Sequence, residues 1–104
     1  MHPASKTEVA KREYGSLFTS ISDALFRADP ARLNFDVNPD EYDSEAARII
    51  PRLISARSAN DVQVILYDEL LRTLYTVGVS IDALPPLAVE IWALWCESGR
   101  RSTS

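Results

Sequence analysis

A chain of 104 residues with a formal net charge of −4 and 46% hydrophobic residues has the length of one domain, and folding at this size hides roughly two-thirds of the surface the extended chain exposes. The charge disfavours nucleic acid and anionic lipid as partners, because both reward clustered Lys and Arg. One cysteine, Cys96, and one histidine, His2, exclude an internal disulfide, a placed Ser-His-Asp triad and a zinc site built from several Cys and His.

The start MHPASKTEVAKREYG has no apolar core of a signal peptide, and no segment approaches the ~20 apolar residues of a membrane span. Residues 1–4 read as a flexible end. From Ser5, Ala10, Tyr14, Leu17, Phe18, Ile21, Ala24, Leu25 and Ala28 recur at helical spacing. Ser5 and Glu8 match a capping box, and Pro30 disfavours helical backbone at Asp29, so the first helix is predicted over 5–28. Gly15 is a mild weakness inside it.

ADPARLNFDV reads as a loop. Asn38 then suits a helix cap, Pro39 the first helical position and Glu41 the third position after the cap. The second helix is predicted over 39–56, kinked or broken at Pro51, which removes a backbone donor and crowds the preceding turn. Ser58 and Asp61 mark the next start, and DVQVILYDELLRTLYTV gives a third helix over 59–77. Its wheel places Val64, Leu66, Tyr67, Leu70 and Leu71 opposite Asp61, Asp68, Glu69 and Arg72. Gly78 stops it. The last helix, 85–98, is apolar nearly all round, so either its neighbours wrap it or Trp92 and Trp95 contribute to an interface. Residues 100–104 read as a flexible tail. The expected fold is all-α, a single-domain bundle of about four helices.

The segment DVNPDEYDSE, residues 36–45, holds five of the fifteen carboxylates and no Lys or Arg. Counted as a calcium loop from Asp36, it has Glu41 where a glycine is required and Ala47 where a bidentate Glu is required, so no metal is expected. Carboxylates at Asp40, Glu41 and Asp43 fit a first helical turn, where the helix dipole favours them. Arg48 and Arg52 repel at i and i+4 spacing, and Glu45, Glu41 or Glu69 are the acids that could offset them. That leaves Asp36, Asp40 and Asp43 to face outward. Tyr42 has two open uses, as an anchor of the loop and as an amphipathic contact for a partner.

Asp29-Pro30, then Asn38-Pro39-Asp40-Glu41-Tyr42-Asp43 and Glu45 leading into AARIIPRL, resembles a family of small bacterial all-helical proteins of unassigned function. Some of those proteins resemble immunity proteins that neutralise a co-encoded toxin. The motif covers residues 29–54, about a quarter of the chain, and carries over no catalytic residues. What the resemblance and the charge together imply is a non-catalytic, cytoplasmic protein-binding module without a cofactor, set against a basic toxin domain of a contact-dependent inhibition system. Its expected contacts are Asp36, Asp40, Glu41, Tyr42, Asp43 and Glu45. The alternative is a structural or regulatory homodimer joined through Trp92 and Trp95. A carboxylate-dependent hydrolase would need two of the acids in one pocket.

Overall fold

The computed structural model describes residues 6–28, 42–74 and 81–99, all of them helical or in short connections, with no strand among them. Five α-helices follow in order: α1, Lys6–Tyr14; α2, Ser16–Ala28; α3, Asp43–Ile49; α4, Ala59–Leu74; and α5, Leu84–Glu97. Short 3-10 segments at Ile50–Ser55 and Ile81–Ala83 lead out of α3 and into α5. The all-α expectation holds, with five helices where about four were expected.

The extra helix comes from Gly15. Its φ of +55° is left-handed backbone that residues with a Cβ resist by ~1–2 kcal/mol. Its N–H donates to the Lys11 carbonyl at 2.9 Å, which closes α1 as a left-handed C-terminal cap. One helix over 5–28 is therefore corrected to two, and the turn lets α1 pack on both α2 and α3. Ser5, the expected cap, lies outside the described residues. A Cβ at position 15 would meet nothing within 4 Å, so only backbone conformation opposes a larger residue. Gly15→Ala is expected to lower stability by about 1–2 kcal/mol in urea melts, and an unchanged midpoint would show that the turn tolerates a side chain.

At the second predicted helix, α geometry ends at Ile49 and the chain tightens into the 3-10 segment with Pro51 in its first turn. The break expected at Pro51 is thus a change of helix type. Asn38, Pro39 and the start of the predicted helix lie outside the described residues. Tyr42 precedes α3, and no side-chain cap is formed there.

The start of α4 follows local chemistry closely. The Asp61 N–H donates to Ser58 Oγ at 3.3 Å, and the Arg57 N–H donates to Asp61 Oδ2 at 2.9 Å, so the two side chains take up donors that the helix cannot satisfy. Residues 75–77 of the predicted helix, and Gly78, lie outside the described residues. In α5, Pro85 and Pro86 sit in the first turn, where a missing N–H costs little.

One core joins these helices. Phe18, Ile21 and Leu25 from α2, Ala46 and Ile49 from α3, Ile50 and Leu53 from the 3-10 segment, Val62, Leu66 and Leu70 from α4, and Leu87 and Ile91 from α5 are all buried in it. α5 rests against α4 and α2, with Leu84, Leu87, Ala88, Ile91 and Trp95 inward. On α4 the inward stripe includes Ile65 and Glu69, while Val64 and Tyr67, expected on the apolar side, are 60% and 44% exposed.

Candidate functional site

Among the described residues, the acidic run divides between two destinations. Asp43 is the first residue of α3, where the helix dipole favours its charge. It faces a cleft of about 270 Å³ where α1, α2 and α3 meet. Helical spacing on α2 brings Phe18, Ser22 and Phe26 to one wall of the cleft, with Thr19 and Asp23 beside them, and Lys11 of α1 closes the other side.

The polar contacts in the cleft centre on one carboxylate. Ser22, itself buried, donates its hydroxyl to Asp43 Oδ1. The Lys11 ammonium lies 3.3 Å from Asp43 Oδ2 and 5.9 Å from the centre of the Phe18 ring. A positive charge is thus held between a carboxylate and the face of an aromatic ring, and both attract it. Lys11 stays 54% exposed and Asp43 only 14%, so the anion is the preorganised partner and the cation the exchangeable one. Asp23 also holds Arg27 at 2.8 Å, and Arg27 reaches Glu90 of α5 at 2.5 Å. Hydrogen bonds to Glu90 above all, then to Asp23, raise the Arg27 pKa above its ordinary value.

The other destination is the seam between α3, the 3-10 segment and α4. Glu45 is buried and lies 3.5 Å from Arg48. Glu69 takes a different arginine on each oxygen: Arg48 Nε lies 3.7 Å from Oε2, and Arg52 Nη1 donates to Oε1 at 3.0 Å. Arg52 also donates to Asp68 at 2.7 Å. The hydrogen bond to Asp68 is the largest cause of the raised Arg52 pKa; partial burial opposes it, and the bond to Glu69 adds to it. The expected offset of two repelling arginines is therefore present, supplied by Glu45, Glu69 and Asp68.

Compared with known proteins, the chain matches no family model, no curated protein and no solved structure.

The geometry redraws the set of candidate contacts. Tyr42 is wholly buried and Glu45 is 3% exposed, so neither presents a side chain to a partner of the folded chain. Tyr42 joins the core, and Glu45 is drawn in by Arg48 one turn on. Asp43, expected to face outward unengaged, is tied to Ser22 and Lys11, yet it remains at the cleft. Asp36, Asp40 and Glu41 lie outside the described residues. Asp43 lines this cleft and Glu45 does not; the second carboxylate on the cleft wall is Asp23 of α2, outside the acidic run. Trp95 is 2% exposed and belongs to the core, whereas Trp92 is half-buried. On α5 the outward side carries Pro85, Val89 and Ala93 beside Trp92, and Val89 is 60% exposed.

Among the described residues, no three His, Cys, Asp or Glu side chains gather in a metal-holding group, and no helix is long and apolar enough to cross a membrane. Sequence reasoning missed Lys11, Phe18, Ser22 and Phe26 as cleft residues. The spacing of Phe18, Ser22 and Phe26 at four-residue intervals was the available signal, a polar residue set between two aromatic ones on a single helical row.

Proposed function

We propose that this chain is a non-catalytic protein-binding module that meets a basic partner, most specifically an immunity protein neutralising a co-encoded bacterial toxin. The observation that carries the reading is the Asp43 cleft, a carboxylate at a helix start that holds an ammonium group against an aromatic ring. A basic domain offers many such groups, and a net charge of −4 speeds its approach. The resemblance of residues 29–54 to small bacterial helical proteins supports the more specific form. Asp36, Asp40 and Glu41 extend the acidic set beyond Asp43 in this reading, and the module acts in the cytoplasm without a cofactor.

A pull-down with the tagged full chain at low and physiological salt, followed by mass spectrometry, is expected to recover one stoichiometric partner with a basic domain. Reversing charge in Asp36→Lys with Asp40→Lys then slows association by about tenfold or more at low salt. This pair leaves Asp43, which has folding contacts of its own, in place. Undiminished association at low salt would defeat the acidic-surface assignment.

The exposed row of Pro85, Val89 and Ala93 beside Trp92 on α5 favours a second reading, a homodimer. Sedimentation decides it, since a monomer at micromolar concentration removes the dimer.

A further inference from the structure

We infer that the Asp43 cleft is a receptor for an arginine side chain of a protein partner, and that Lys11 is an internal stand-in for that arginine. The inference rests on the partner-binding reading above and names the group that the partner inserts.

The chemistry of the cleft is more specific than a general preference for positive charge. Phe18, buried in the core with its face under the Lys11 ammonium, and the half-buried Phe26 lie two turns apart on α2 with Ser22 between them. The carboxylate of Asp43 faces the same cleft, and displacing Lys11 uncovers the Phe18 face. A guanidinium is planar and weakly hydrated; it stacks on an aromatic face while its edge donates paired hydrogen bonds to a carboxylate. An ammonium lacks both the plane and the fork. Lys11 satisfies Asp43 through Oδ2 from a half-exposed position, and Ser22 fixes the carboxylate through Oδ1. A carboxylate oxygen accepts more than one hydrogen bond, so an incoming arginine can displace Lys11 without breaking the Ser22 contact. The volume of about 270 Å³ admits the end of one such side chain. Exchange of an exposed cation for another cation leaves no buried charge unpaired in the free protein, which keeps the empty receptor folded.

The test uses the full chain and N-acetyl-arginine methylamide as probe, with the citrulline analogue, equal in shape but neutral, as control. Binding is followed through the ring proton signals of Phe18 and Phe26. The expected result is a saturable response of those two rings to the arginine probe and none to citrulline. Lys11→Met, which keeps the aliphatic stem and removes the competing ammonium, tightens binding by roughly two- to fivefold, the scale of an exposed ion pair. Asp43→Asn keeps an acceptor for Ser22 and weakens binding by more than about tenfold. Equal responses to arginine and citrulline, or no tightening in Lys11→Met, overturn the assignment. If the rings stay silent while a stoichiometric partner is still captured, the cleft assignment fails and the binding module stands. If the rings respond but no partner is recovered, the receptor stands and the module reading fails.

Discussion

Tyr42→Ala is expected to cost about 3–5 kcal/mol of folding free energy, the range for emptying a buried aromatic site. Tyr42 is fully buried and sits directly before α3, where it joins that helix to the main core. A domain of this size has about 5–15 kcal/mol in total, so the variant should melt tens of degrees lower or fail to fold. Tyr42→Phe keeps the ring and isolates the hydroxyl, with an expected loss of no more than about 1.5 kcal/mol. Urea denaturation of both variants separates the terms. A Tyr42→Ala protein within 1 kcal/mol of the parent, on the scale of an exposed substitution, would mean that the residue is not buried in solution and would return it to the list of partner contacts.

The second large effect is expected at Glu69. Replacing it with alanine should cost about 2–4 kcal/mol, below the full penalty for breaking a buried ion pair because both arginines stay partly exposed. The loss has two sources: Arg48 and Arg52 each give up a contact, and the repulsion between them is no longer screened by a carboxylate placed between. Arg48→Met made together with Glu69→Met should restore part of that stability, because an apolar pair of similar bulk avoids desolvating charge. A double-mutant cycle by urea denaturation measures this coupling. Additive single effects would show that the seam is a set of independent surface charges.

Both residues show where sequence reasoning stopped. Features set by neighbours within four residues were legible: the cap formed by Ser58 and Asp61, the change of helix type around Pro51, the prolines at the head of α5. So was the need of Arg48 and Arg52 for acids nearby. The burial of Glu69 was not, because it depends on arginines 17 and 21 positions earlier that turn the charged side of α4 inward at one point. In sequence Gly15 looks like a weak helical residue for a related reason. Its left-handed turn serves the packing of α1 on α3, a contact between segments about thirty residues apart. A place for Asp43 in a first helical turn was legible, but the division of Asp43 and Glu45 between cleft and seam follows from the 100° step between successive helical positions meeting two different neighbours. The Lys11 cleft needed three helices to be placed before it existed.

The turn at Gly15 has a further consequence for how order arises in this chain. It leaves α1 with nine residues and α2 with thirteen, lengths at which an isolated helix in water is marginal or mostly coil. An uninterrupted helix of their combined length could persist on its own. Divided, neither half holds its shape before it meets the rest of the molecule, so the walls supplied by Lys11 and Phe18 form only as the bundle closes. The order of the cleft walls therefore depends on tertiary packing and not on helix propensity alone.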